Sequence, residues 1–380
     1  MKWSFLAALL ILAQVAQPQQ CSRRPQAPID PDIPVTDTFI TTEGLRLGVQ
    51  TIVTNVEIPW SLAFAPDGRL FFTERPGRVR IVQNGQLVTE PALVLSDVRH
   101  EGEGGLLGIA IHPNFASNHL LFLLYTANTA GGPVNRLVRY RESGNALIER
   151  AVLLERMAAS GIHDGGRLRF GPDGKLYLTM GDAANTSLSQ SLSSLNGKIL
   201  RLNDNGSAAE TNPFGNEIWT YGHRNPQGLD WNPDTGDLYA TEHGNVGNDE
   251  VNLLLAGHNY GWPVIEGAAS RPDMDTPLRF FSPSIAPSGG SFYSGTRMFQ
   301  LRGSFFFGAL AGRHLHRAAV DSAEPTRIRF EERWLDGRFG RIRDVVSGPD
   351  GTLYFCTNNR DGRGSPIPAD DRIARIVPVQ

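Results

Sequence analysis

Between Ile162 and Asp182 the chain reads I-H-D-G-G-R-L-R-F-G-P-D-G-K-L-Y-L-T-M-G-D. A histidine on a glycine-rich turn leads into a strand, a Pro-Asp-Gly turn and a second strand that ends on an acid. Antiparallel pairing of the two strands returns Asp182 to the level of His163, so both stand at one mouth of a β-structure. A neutral imidazole is the usual general base near neutral pH, and a carboxylate behind it fixes the tautomer and stabilises the imidazolium. A lone histidine is more often structural. The adjacent Gly165-Gly166 and the acid on the paired strand favour His163 as catalytic base with Asp182 as its support.

Four further stretches carry chemistry. In Glu101-Gly-Glu-Gly-Gly-Leu-Leu-Gly108 the glycines allow close backbone approach and Glu103 can face a channel, although a tight turn with a solvated Glu103 is the plainer alternative. Tyr221-Gly-His-Arg-Asn-Pro-Gln-Gly228 offers a fixed cation, Arg224, and an amide, Asn225, before a turn-forming proline; this suits an anionic or carbonyl-rich ligand. Thr241-Glu-His-Gly-Asn-Val-Gly-Asn-Asp-Glu-Val-Asn252, followed by Gly257-His-Asn-Tyr-Gly-Trp-Pro263, crowds oxygen donors among glycines. Hard oxygen ligands of this kind suit Ca²⁺, without the spacing of an EF-hand, and capped turns are the alternative. In Gly340-Arg-Ile-Arg-Asp344, Arg341 and Arg343 are two apart, so on a strand both leave one face. Two guanidiniums on one face repel unless Asp344 or a bound anion lies between them.

The elements that must position these residues repeat. Phe64-Ala-Pro-Asp-Gly-Arg-Leu-Phe-Phe-Thr-Glu74 returns at Phe170–Met180, Trp231–Thr241 and Ser347–Thr357, more loosely at Ile111–Tyr125, and with a worn turn at Arg302–Gly308. Each copy is a strand, a turn and a strand rich in aliphatic and aromatic residues. The spacing of roughly 45 to 70 residues is that of one four-stranded blade with its loops. Six copies predict an all-β fold: a six-bladed β-propeller of four-stranded antiparallel blades over 41–380, closed by pairing of Leu45–Val53 with Arg372–Val377. No long helical periodicity appears, which disfavours a parallel α/β sheet.

Bulk composition agrees. The 380 residues include 41 glycines and 25 prolines, placed in turns between apolar runs. A net charge of −3 gives no general attraction to nucleic acid or anionic membranes. Residues 1–21, with Lys2 before an apolar run, read as a signal peptide or N-terminal anchor, and 22–40, with four prolines, as a linker. An exported protein, periplasmic or extracellular, follows. Cys356 sits in an apolar run, so a buried free thiol is expected rather than a disulfide. There is no G-x-S-x-G elbow, H-E-x-x-H pair, Walker loop or dinucleotide fingerprint.

Taken together, E-G-G-L-L-G, I-H-D-G-G-R-L…G-D, G-H-R-N-P-Q-G, N-Y-G-W-P, S-I-A-P-S-G-G and R-I-R-D resemble the soluble pyrroloquinoline-quinone (PQQ) dependent aldose sugar dehydrogenases, from about Ile58 to the C-terminus. The resemblance implies a six-bladed propeller oxidising aldoses at the anomeric carbon to lactones, with hydride passing to PQQ, Ca²⁺ as second cofactor and electrons leaving to an external acceptor. His163 would be the base and Asp182 its support. Arg224, counted with the catalytic residues, and Asn225 would contact the quinone carbonyl edge. Arg341 and Arg343 would bind PQQ carboxylates, and Glu103 occupies a cofactor-contacting position. The Gly244-Asn245 backbone would hold the bridging Ca²⁺; Glu250 and Tyr260 would serve a second one. Two positions depart from the family pattern: Ala311 aligns where a cofactor-binding lysine is common, with Arg313 or His314 as substitute, and Asn245 stands where a proline is common.

Two other functions fit the same scaffold: a calcium-dependent lactonase-type hydrolase using His163 to activate water, and a non-catalytic propeller binding a carbohydrate or a partner. A cluster of Arg224, Arg341 and Arg343 discriminates, since a neutral lactone or glycan needs no such charge. A monomer or homodimer is expected, with no transmembrane segment beyond the possible anchor.

Overall fold

The computed structural model describes residues 33–379. Six antiparallel sheets follow one another as blades, each running from the channel outward. Their innermost strands are Pro59–Phe64, Leu106–Ile111, Leu168–Phe170, Pro226–Trp231, Pro287–Phe292 and Ile342–Ser347, which define blades 1 to 6. All six copies of the sequence repeat are the passage from a blade's first strand to its second. The worn copy in blade 5 has a single 3₁₀ turn, Phe299–Leu301, in place of the Pro-Asp-Gly turn.

The ring closes as expected. Arg46–Val53 pairs with Ile373–Pro378, so the two ends of the domain share blade 6. One boundary moves, however. Val35–Ile40, expected to be linker, is a strand that pairs with Arg46–Val53 on the outer edge of blade 6. Its sequence, V-T-D-T-F-I, shows little alternation, as an edge strand tolerates, and the proline-dense stretch misled because its last proline is Pro34. The expected signal or anchor, 1–21, lies outside the described residues. Among those described, no helix is long and apolar enough to cross a membrane, and the two α-helices have four residues each.

The core sits between blades. Six apolar clusters fill the six inter-blade gaps. Side chains alternate along a strand, so Phe71 packs between blades 1 and 2 while Phe72 packs between blades 6 and 1. Leu123 and Phe122, and Phe306 and Phe305, divide in the same way. Both faces of each second strand are therefore dry, which is why these strands read as unbroken apolar runs. Each buried ring contributes about 1.5–3 kcal/mol. Cys356 is buried and free, its thiol pushed up by burial.

The channel is closed by polar groups. Arg167, which precedes the first strand of blade 3, donates to Asp344 of blade 6 (Nη1 to Oδ2, 3.0 Å), to Ser61 Oγ of blade 1 (2.8 Å) and from Nε to the Gln227 carbonyl of blade 4 (3.1 Å). Its guanidinium lies 4.3 Å from the Trp60 ring centroid. Asp344 also accepts the Leu62 N–H at 2.8 Å. Gly289 of blade 5 backs the pair so closely that a Cβ there would meet Asp344 Oδ1 at 2.0 Å. Five blades thus meet on one buried ion pair. Losing one partner strands the other charge in a dry site, so Asp344→Asn is expected to lower unfolding free energy by about 3–5 kcal/mol. Urea denaturation measures it. The volume-matched double variant Arg167→Met/Asp344→Leu should recover most of that loss, because no lone charge remains.

Candidate active site at one mouth of the channel

His163 stands on the loop entering blade 3, in the left-handed region (φ 63°), one residue before Asp164 and Gly165. Gly165 and Gly181 let this loop lie on the next strand: a Cβ on Gly181 would meet the His163 carbonyl at 2.0 Å. His163 Nδ1 is 2.7 Å from Asp182 Oδ1. Asp182 is fully buried, and its other oxygen accepts the Trp262 indole N–H at 2.9 Å while Oδ1 also accepts the Ala184 N–H at 2.8 Å. A carboxylate so held fixes the proton on Nδ1 and leaves Nε2 as the basic nitrogen.

Glu103 reaches the same loop from blade 2. Its Oε2 accepts the His163 N–H (2.9 Å) and the Asn225 Nδ2 (3.2 Å); its Oε1 accepts from Arg363 (3.1 Å). Burial raises this carboxyl, but His243, the His163 N–H and Arg363 outweigh it and bring it to about 2. Asn225 spends its amide inside the protein: Oδ1 accepts from Gly165 N and Gln227 Nε2, so it braces the His163 loop. Arg224 is in no ion pair among the described residues. Its guanidinium lies over Trp262 (5.4 Å), touches the His243 carbonyl (3.3 Å) and leaves Nε without a partner.

Arg341 and Arg343 are both buried at this mouth but do not share one partner. Asp344, the carboxylate that might have separated them, is committed to Arg167. A bulge between Ile342 and Asp344 breaks the simple alternation. Arg341 pairs with Asp361 at 2.7 Å. Arg343 donates to Gln227 Oε1 (3.1 Å) and, with the Asn358 amide turned so that its oxygen faces the guanidinium, to Asn358 (2.7 and 3.0 Å). It has no carboxylate partner among the described residues. Burial lowers Arg343 to about 9 against the pull of Asp361, and Arg341 and Arg75 add to the repulsion. Arginine stays charged, so Arg343 is a guanidinium held out of water without a paired carboxylate. Arg313 is exposed (φ 53°), in a neighbouring cavity of about 460 Å³ that it shares with Ala311, Arg338, Arg341, Arg363 and Arg372.

The glycine-rich segment after blade 4's second strand forms an acidic recess beside this cationic one. Gly244 donates to Asp249 (3.0 Å), and Asn245 is exposed. Glu250 is held by Asn252 and Gly267; burial, then the neighbouring Glu242, push its carboxyl up to about 8. Glu266 joins them with Oε2 unpartnered. The Tyr260 hydroxyl, expected near a cation, instead donates to Leu253 O (2.7 Å) and accepts from Leu255 N (2.8 Å), and its ring stacks on His223. No group of three or more His, Cys, Asp or Glu side chains forms a ready metal cage among the described residues.

Arg75, Asp361, Arg363, Trp262 and Glu266 were not singled out from the sequence as site residues. For Arg75 the repeat itself held the signal. Arg75, His243 and Asn358 follow the second strand of blades 1, 4 and 6 at the same position, and each therefore comes to this mouth. Asp164 lines the narrow recess with Arg75 and Arg343, and burial raises its carboxyl to about 7 with Oδ2 unpartnered. A carboxyl raised on folding is stabilising below the ordinary value and costs stability as pH rises through the folded one. Stability should therefore fall between about pH 4 and pH 7 and level off above; Asp164→Asn should flatten that slope in urea midpoints taken across this window.

Residues 56–367 match the Glucose / Sorbosone dehydrogenase family model. The chain is 37% identical over 350 residues to an uncharacterized protein, slr1608, of Synechocystis, covering 82% of this chain and 84% of that one. It is 33% identical over 341 residues to the aldose sugar dehydrogenase YliI of Escherichia coli K12, covering 83% and 91%. The PQQ-bound form of aldose sugar dehydrogenase from Streptomyces coelicolor superposes with a TM-score of 0.79 at 34% identity, over 87% of this chain and 98% of that one. With a propeller whose channel mouth carries the His163–Asp182 pair and the G-H-R-N-P-Q-G arginine, this chain belongs to the glucose/sorbosone dehydrogenase family.

Proposed function

We propose that the protein is a PQQ- and calcium-dependent dehydrogenase that oxidises aldose sugars at the anomeric carbon to the lactone and hands the electrons to an external acceptor. The observation that carries this reading is a carboxylate-backed imidazole beside buried guanidiniums that lack an anion. The residues fit both cofactors. Arg75 Nε, Arg224 Nε and His243 Nε2 are buried donors without acceptors, as expected of a seat for a polyanion. Glu250 and Glu266, the latter with Oε2 unpartnered, would offer carboxylate oxygens to a hard cation, while Glu242 is held by His223 and the Arg224 N–H. The recess lined by Arg75 and Arg343 is narrow, at about 20 Å³.

When bound, PQQ supplies the hydride acceptor and Ca²⁺ polarises its quinone. The chain's own part is proton and charge management. His163 Nε2 takes the proton of the anomeric hydroxyl as the hydride leaves carbon, and Asp182 stabilises the imidazolium so formed. Trp262 and the Ala184 N–H hold the Asp182 carboxylate in place. Arg224, held over Trp262, and Arg343 would carry the cofactor's negative charge, with Arg341 contributing in competition with Asp361. Glu103 and Asn225 hold the His163 loop in register. Gly244 and Asn245 would offer main-chain oxygens to the bridging cation. Any contribution of Tyr260 would come from its main-chain oxygen, since its hydroxyl is engaged. The unpartnered arginines weigh against the lactonase and the glycan binder. The apolar start of the chain supports export, and N-terminal sequencing of protein from its host would separate cleavage from anchoring.

Apoprotein given PQQ and Ca²⁺ is expected to reduce a dye when glucose is added; no gain over apoprotein alone overturns the reading. His163→Ala should lower kcat by about 10²- to 10⁴-fold while PQQ stays bound, and near-native turnover would remove His163 as base. Arg343→Gln should weaken PQQ retention, read by absorbance after gel filtration. Calcium should raise the Tm of chelator-treated protein, and Glu250→Gln should shrink that rise.

A further inference from the structure

The innermost strands all run from the catalytic mouth to the opposite one, and the Arg167–Asp344 pair divides the channel between them. Below that pair, the far ends of five blades enclose a second cavity of about 380 Å³. Its volume is in the range of small-molecule sites. Phe64 and Trp231 supply apolar wall, Ser294 and Ser347 supply hydroxyls, and Arg169 and Asp230 supply charge.

Arg169, on the first strand of blade 3, lies two residues beyond Arg167, which just precedes that strand, and extended backbone sends both to the same face. The two differ in what they meet. Arg167 is neutralised by Asp344 and donates to Ser61 and Gln227. Arg169 makes no side-chain hydrogen bond and no ion pair among the described residues, and its Nε and Nη2 are buried without an acceptor. Asp230 is near enough for its charge to be felt, but its Oδ2 already accepts Ser291 Oγ (2.8 Å) and the Phe292 N–H (2.7 Å). Nε–H and Nη2–H are the two parallel donors of one guanidinium edge, the fork that matches a carboxylate bidentately. A charged donor pair left unmet in a half-buried site costs free energy that a ligand can return.

We propose that the far mouth of the channel is a second binding site, for a small hydroxy-carboxylate. Arg169 grips the carboxylate, the rim serines Ser294 and Ser347 meet hydroxyls, and Trp231 with Phe64 covers the carbon chain. Nothing in the site depends on the catalytic mouth, from which the buried ion pair separates it.

Sodium gluconate is the probe, with acetate and glucose as controls, titrated calorimetrically into the full-length protein. The Arg343→Gln variant serves as the reference for binding at the catalytic mouth. Gluconate should bind wild type and Arg343→Gln alike, at least tenfold more tightly than either control. Arg169→Gln should weaken it tenfold or more, and Arg169→Lys less. Equal binding by wild type and Arg169→Gln overturns the site. So does loss in Arg343→Gln with retention in Arg169→Gln, which moves the ligand to the other mouth, and so does glucose binding as well as gluconate. Should Arg169→Gln fail to fold, Ser347→Asp decides: a carboxylate on the rim competes for Arg169 and should weaken gluconate, and unchanged binding refutes the proposal.

Discussion

On the channel axis a guanidinium and a carboxylate, Arg167 and Asp344, lie almost wholly out of water and touch parts of five blades. A propeller of sheets held only by apolar contacts between neighbours has no element that fixes its centre. The inter-blade clusters are non-directional, whereas an ion pair in a low-dielectric site tolerates little displacement. The pair fixes how near the innermost strands approach and makes of the channel two blind cups. Everything at the catalytic mouth is built above this floor, starting with Trp60, whose ring covers Arg167 and also lies 5.7 Å from Arg343.

Above the floor, charge is sorted. Arg75, Arg341 and Arg343 crowd one side, where Asp361 pairs with Arg341 and Glu103 adds a second negative charge nearby. Glu242, Glu250 and Glu266 crowd another, with His223 the one imidazole that meets Glu242 there. His243 lines both recesses. Concentrating like charge in dry recesses works against folding. The His163–Asp182 pair, by contrast, is internally complete: every oxygen of Asp182 has a donor and the imidazole is oriented before any substrate arrives. The imidazole–carboxylate pair is complete as it stands, whereas the two charged recesses keep polar atoms without partners.

Much of this was legible in the chain. The six strand–turn–strand copies are each one passage between a blade's first two strands, because a Pro-Asp-Gly turn and two apolar flanks leave little else to form. The same local rule carried Asp182 back to His163. Val35–Ile40 was read as linker because an edge strand needs only one partner and leaves a weak pattern. Arg341 and Arg343 were expected to act together, since period-2 alternation puts them on one face; the bulge at Ile342 and Asp361 on a distant loop send them to different neighbours. The amide of Asn225 was expected to face a ligand and instead holds backbone and side chains of the protein.

Taken alone, the order of residues determined the all-β class, the number of blades, the closure of the ring by its two ends and the family to which the chain belongs. Those depend on short-range turn chemistry and on patterns that recur along the chain. Which arginine has a counter-charge was decided only by the fold. Arg167 and Arg169 are two residues apart with similar neighbours in sequence, yet Asp344, on the last blade, comes to one and not to the other. Pairing across a closed ring depends on where remote blades bring their carboxylates, and no local spacing encodes that distance.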